Sequence, residues 1–180
     1  MNGLQMTELI FESVRLVPTT VDLLHLEDIS GAMLAQELGV AVPPSWPPEF
    51  NGSETRAWLR ERLQEDLSNA HWLSWYIISD DGDAATLAGI AGYKGPPSEQ
   101  GQVEIGYAVI PELQRRGIAS LAVRALCNHA FGQGVGAIIA HTLPELLPSQ
   151  GVLIKAGFKR TQVLNDPDEG VVWQYQLDKQ

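Results

Sequence analysis

The sequence predicts an α/β fold of the α+β kind, with about four helices laid on one mixed sheet of seven strands. Three observations carry this expectation. Short runs rich in β-branched, aromatic or small apolar residues alternate with longer runs of helical spacing. Their order is strand, two helices, three strands, helix, strand, helix, two strands, and the helices show the apolar stripes that pack on a sheet. The chain has 180 residues, 44% apolar and 19% charged, enough to bury one core. A single domain over residues 1–180 follows.

Each element has a local reason. "VRLVPT" reads as the first strand, and "TVDLLHLEDISGAMLAQELG" as a helix that Gly39 stops. The proline-dense "VPPSWPPEF", Val42 to Phe50, is a loop inside the domain. Ser53 then caps a helix in which Leu59, Leu63 and Leu67 recur every four residues and Trp58 widens the stripe. "HWLSWYIIS" and "ATLAGIAGY" flank the turn chemistry of "DDGD", and "QVEIGYAVI" continues the meander until Pro111. Alternation along that third run puts Val103, Ile105, Tyr107 and Val109 on one face and Glu104, Gly106 and Ala108 on the other. In the next helix Ile118, Leu121, Ala122, Ala125, Leu126 and His129 share a side, which leaves Cys127 on a polar-flanked one. "GAIIAHT" is a buried strand, "SQGVLIKAG" a short helix stopped by Gly157, and "FKRTQV" and "GVVWQYQL" close the fold around "NDPDEG".

Composition excludes several functions. With 22 acidic against 12 basic residues the net charge is -10, which repels nucleic-acid backbones and anionic membrane surfaces. One cysteine forms no internal disulfide, and no Cys/His cluster has zinc-ligand spacing, so no metal is expected. No basic lead precedes an apolar run near the start and no membrane-length apolar run occurs, so a cytoplasmic protein is expected.

Against this acidity "QRRGIASLAVRALCNHAF", Gln114 to Phe131, stands out as a basic, glycine-containing turn that opens into a helix. A strand end, a tight turn and a helix start leave several N–H groups pointing one way, where an anion binds with about 0.3 to 1 kcal/mol from the helix dipole. The same residues also fit a solvated corner in which the glycine serves the turn alone. A Walker loop is absent because the chain holds no Gly-Lys pair, and "GQGVG" has the wrong spacing for a dinucleotide fingerprint.

"QRRGIA" matches the pattern [QR]-x-x-G-x-[GA] at Gln114, Gly117 and Ala119, with Pro111 three residues earlier and "LIKAGFKR" resembling "EKxGF" further on. On these motifs the chain resembles the GCN5-related N-acetyltransferases, over roughly Val14 to Leu177. "EIGYAV" and "TLPE" resemble the branch that acetylates the N-termini of ribosomal proteins.

The resemblance implies a mostly antiparallel sheet, acetyl-CoA as cosubstrate and direct transfer to a primary amine, of a protein N-terminus or a small molecule. It implies that backbone amides of Gln114, Arg115, Arg116, Gly117, Ile118, Ala119 and Ser120 hold the pyrophosphate. The main chain at Val109 and Ile110 would pair with the pantetheine arm, and an N–H there would polarise the acetyl carbonyl. Glu104 is the candidate general base, and an outward carboxylate on a half-exposed strand is its bland alternative. Tyr107 is a candidate substrate-binding residue and, with His141, a further candidate for proton transfer.

The chain departs from the family where "PxNxxS" reads "PELLPS", with Leu146 at the Asn position, and where Leu153 replaces a common tyrosine. Ser149 is left as the candidate acid for the departing thiol, or else the N-cap of its helix. Trp46 and Phe50 line an acceptor wall or pin the proline-rich loop to the core. No cysteine lies at the site, so a covalent acetyl-enzyme is not expected. A non-catalytic acyl-CoA sensor on the same fold is the rival reading, and monomer and homodimer both fit.

Overall fold

Ser30 breaks the long helical stretch after the first expected strand. Its backbone is extended, with φ -170° and ψ 152°, and its Oγ accepts from Met33 N–H at 3.2 Å, so it ends one helix and caps the next. The expected single helix is therefore two: α1 (Val21–Ile29) and α2 (Gly31–Leu38), the latter closed by Gly39 at φ 67°. The computed structural model describes residues 7–179.

The remaining elements are β1 (Leu9–Phe11), β2 (Val14–Pro18), α3 (Ser53–Glu65), β3 (Ser74–Ser79), β4 (Thr86–Tyr93), β5 (Gln102–Val109), α4 (Ile118–Gly132), β6 (Ala137–Thr142), α5 (Leu147–Lys155), β7 (Lys159–Asp166) and β8 (Gly170–Asp178). Turns of 3-10 helix cover Leu67–Trp72 and Pro111–Leu113. The expected mixed sheet is present with one strand more than counted, because β1 hairpins onto β2. Its order is β1-β2-β3-β4-β5-β6-β8-β7, and every pairing is antiparallel except β5 with β6. Among the described residues no helix is long and apolar enough to cross a membrane.

Three local expectations change. Gly52, not Ser53, stands at the N-cap of α3. Leu67 leaves the α3 stripe because Asp66 breaks the helix, its Oδ1 accepting from Ser68 N–H at 2.9 Å, and Leu67 is 65% exposed. Cys127 lies not on a polar side but in the main core beneath α4, and burial pushes its thiol up to about 12. A thiol so hidden is inert.

Two apolar layers sandwich the sheet. Ile118, Ala122, Val123 and Leu126 of α4 pack with Leu153 of α5 on Leu16, Ile77, Val103, Ile105 and Ile138. On the other face Leu34 and Ala35 of α2 pack on Val17, Tyr76, Ile78 and Leu87. β4 is cut close to its neighbours: a Cβ on Gly89 would lie 2.1 Å from Ala108 C=O, in β5. Gly89→Ala is expected to push the two strands apart and to lower stability by about 1 to 3 kcal/mol, read from the urea unfolding midpoint.

Candidate active site

A wedge opens between β5 and β6 because their registers part. The two strands pair only from Gln102↔Ala137 to Glu104↔Ile139, whereas β5 stays on β4 out to Gly89↔Val109. On the β4 side, Ile110 N–H donates to Ala88 C=O and Lys94 N–H donates to Glu104 C=O, both at 2.9 Å. Even-numbered peptide groups of β5 therefore address β4, and by alternation those of Tyr107 and Val109 address the wedge. An extended ligand laid there meets donors and acceptors as an added strand would. Ile110 has its N–H committed to Ala88, so of the two residues expected to pair with such a ligand it is Val109 whose N–H faces the wedge.

Past Val109 the chain turns sharply. Arg115 at φ 64° and Gly117 at φ 84° are both left-handed. Glycine adopts this freely, but arginine does so at a cost of order 1 kcal/mol, which marks a corner held in place. Gly117 caps α4 with no side-chain hydrogen bond. The N–H groups of Ile118, Ala119 and Ser120 thus lack intrahelical acceptors, at the positive end of a 15-residue helix and beside the exposed Arg115 and Arg116. Small residues here let an anion approach the main chain. Gln114 differs from the expectation: its N–H donates to Pro111 C=O at 3.3 Å, and its side-chain Nε2 donates to Val109 C=O at 2.9 Å. Its contribution is to tie the turn to the wedge.

The two faces of the wedge carry different chemistry. On the α4 face the Tyr107 hydroxyl donates to Ser149 C=O at 3.1 Å and lies 3.0 Å from Ser149 Oγ. Burial pushes the Tyr107 phenol up to about 12 against the opposing Ser149 hydrogen bond, so it keeps its proton at neutral pH. Ser149 sits in the first turn of α5, whose N-cap is Leu146, so it is not the helix cap. Gln150 fixes the approach to that helix by donating Nε2 to the carbonyls of Leu143 and Pro144 at 3.2 and 2.9 Å. Tyr107, expected as a substrate contact or as a group for proton transfer, lies against Ser149.

On the opposite face Glu104 Oε1 contacts His141 Nδ1 at 3.0 Å and also Lys94 Nζ. A shallow depression of about 310 Å³ opens beside it, lined by Lys94, Ser98, Gln100, Gln102 and Ile139. The proline-rich loop is held on this side by Glu27, a carboxylate on α1 only 5% exposed. Glu27 accepts from Trp46 Nε1 at 3.0 Å, Asn51 Nδ2 at 2.6 Å and the Tyr76 hydroxyl at 2.7 Å. Trp46 is thus tied to Glu27 and packs against the α2 layer, pinning the loop, while its ring stays half-exposed. Phe50, 66% exposed, stands out from the loop, and Ser45 hydrogen-bonds Glu112 beside the turn. The sequence alone does not single out Glu27, which stands beside Asp28 in a helix that also carries Asp22 and His25.

Comparisons with known proteins agree with this fold. A family model described as an acetyltransferase (GNAT) domain matches residues 14–159. The chain is 30% identical over 152 residues to YjdG of Bacillus subtilis (strain 168), an uncharacterized N-acetyltransferase, covering 83% of this chain and 89% of that one. The solved ribosomal-protein-S5-alanine acetyltransferase from Vibrio fischeri shares the fold, with a TM-score of 0.67 and 17% identity over 96% of this chain and 97% of that one. RimJ of Mycobacterium smegmatis, in complex with CoA-disulfide, has a TM-score of 0.66 and 20% identity over 96% of this chain and 86% of that one.

Proposed function

The chain belongs to the GNAT acetyltransferase family and is an acetyl-CoA-dependent acetyltransferase, and on that premise we propose that it transfers acetyl directly to a primary amine, a peptide N-terminus before a small molecule. The observation that carries this reading is the wedge itself. Its inner edge offers the N–H of Val109, its two faces offer a carboxylate and a hydroxyl pair, and its mouth ends at the open amides of α4.

Acetyl-CoA would supply the activated thioester. The first-turn amides of α4, with Arg116, would hold its phosphates, and Val109 N–H would polarise its carbonyl as charge develops on the oxygen. Glu104 accepts the proton of the attacking amine. Tyr107 would turn its one hydrogen from the Ser149 carbonyl to Ser149 Oγ, which frees the Ser149 hydroxyl hydrogen to protonate the departing thiolate. Leu146 and the buried Leu153 offer no polar group here, so the Tyr107–Ser149 pair takes the role. Acid and base reach the wedge from opposite faces, so one can meet the amine and the other the leaving sulfur. The depression beside Glu104 is open and shallow, which suits a chain end arriving from solvent, and the acidic surface draws in a cationic amine.

Thiol release from acetyl-CoA across a panel of peptides and small amines, with calorimetry of coenzyme A binding, tests this. Turnover on peptides bearing a free α-amine is expected; tight binding without turnover on any amine would mark a sensor instead. Arg115→Ala with Arg116→Ala is expected to weaken coenzyme A binding by about 10-fold at low salt and by less at high salt. Calorimetry at two salt concentrations reads this directly.

A further inference from the structure

We infer that His141 is the positioning residue of Glu104, holding one carboxylate oxygen so that the other faces the incoming amine. This rests on the reading of Glu104 as the general base.

The contact sits where β5 and β6 part. Glu104 is in the last pair of that ladder, opposite Ile139, and His141 lies two residues further along β6 on the same face. The Glu104–His141 bridge is thus the side-chain closure at the apex of the wedge. Both contacts of the carboxylate, His141 Nδ1 and Lys94 Nζ, fall on Oε1, which leaves Oε2 for the amine.

The ring is fixed from behind. Gln174 on β8 stands directly opposite His141, and a register shift in β7 between Arg160 and Gln162 turns Thr161 toward Gln174. Thr161 Oγ1 donates to Gln174 C=O at 3.4 Å and accepts from Gln174 Nε2 at 3.1 Å. That orients the amide so that its Oε1 faces His141 Nε2 at 3.3 Å. An amide oxygen and a carboxylate oxygen both only accept. The ring therefore holds Gln174 and Glu104 together with a hydrogen on each nitrogen, as the imidazolium, which donates Nε2–H to the one and Nδ1–H to the other and has no lone pair to act as a base. The charged groups around this ring are Glu104 from β5, Lys94 after β4 and Asp166 from β7. In the transfer the lone pair of the amine would form the bond to the acetyl carbon, the C–S bond would break with its electron pair leaving on the coenzyme A thiolate, and an N–H proton would go to Oε2 of Glu104, its electron pair staying on the amide nitrogen.

His141→Ala, His141→Asn, Gln174→Leu and Glu104→Gln are to be compared for kcat, for KM toward a peptide amine, for coenzyme A binding and for thermal unfolding. His141→Ala is expected to lower kcat by about 10-fold or more, with coenzyme A binding unchanged. His141→Asn should recover most of that loss, because its amide N–H can take the place of Nδ1–H. Gln174→Leu, which leaves Glu104 and His141 in place, should lower kcat by a smaller factor, and it serves as the measure should His141→Ala not fold. Full kcat in His141→Ala, or an Asn variant no better than Ala, overturns the inference. If Glu104→Gln also keeps full kcat, it is the assignment of Glu104 that fails; if only Glu104→Gln is slow, His141 alone is wrongly placed.

Discussion

Glu104→Gln is expected to lower kcat by about 10²-fold or more while coenzyme A binding changes by less than about twofold. The substitution keeps volume and leaves an amide oxygen where Oε1 now meets His141 Nδ1 at 3.0 Å. It removes the one property the reaction needs there, a free oxygen able to accept a proton. The proposed cofactor side is untouched, because the open amides of α4 lie beyond the β5–α4 turn and Val109 stands at the far end of β5 from Glu104. A tenfold effect in rate corresponds to about 1.4 kcal/mol at the transition state, so the expected loss is about 2.7 kcal/mol or more. Steady-state thiol release with saturating acetyl-CoA, beside calorimetry of coenzyme A, separates the two quantities. A Gln variant with unchanged kcat would mean that solvent removes the proton and that Glu104 is an ordinary strand carboxylate.

The parts of this site that could be read from the sequence are those made by near neighbours in the chain. Turn, capping glycine and helix start fall within Gln114 to Ser120, and period-two alternation alone puts Glu104 and Tyr107 on opposite faces of β5. The pairings were not legible. Glu104 meets His141 across 37 residues and Tyr107 meets Ser149 across 42, and neither pairing leaves a mark on local spacing. From the sequence Tyr107 therefore stays open between a substrate contact and a proton-transfer group, and only its parity with Ile105 and Val109 points it to the α4 face. Ser30–Gly31 shows the opposite case, a missed local signal: an Ser-Gly pair inside a helical pattern is turn chemistry, and it divides α1 from α2. Cys127 was misplaced because a stripe drawn at ideal spacing is narrower than the side of a helix covered by both a sheet and α5. Trp46 needed its partner, since an indole in a proline-rich loop reads equally as a wall or a pin until Glu27 is seen beneath it.

That carboxylate carries the second large effect. Glu27→Leu is expected to destabilise the protein by about 3 to 5 kcal/mol, read from denaturant unfolding, because it strands three buried donors at once: Trp46 Nε1, Asn51 Nδ2 and the Tyr76 hydroxyl. Glu27→Gln should cost only about 1 to 2 kcal/mol, since its oxygen can serve Trp46 and Asn51 while its amide donates to a reoriented Tyr76 hydroxyl. Burial pushes the Glu27 carboxyl above its ordinary 4.5, against the opposing bonds of Tyr76, Trp46 and Asn51 and the charge of Arg56. A carboxyl raised on folding contributes stability that is present below 4.5 and lost as pH rises through the folded value. Glutamine has no such dependence, so the advantage of the wild type over Glu27→Gln should be larger in acid and narrow toward neutral pH. Loosening Glu27 should raise KM for the amine before it alters coenzyme A binding, because the exposed Phe50 rides on the loop while the amides of α4 do not.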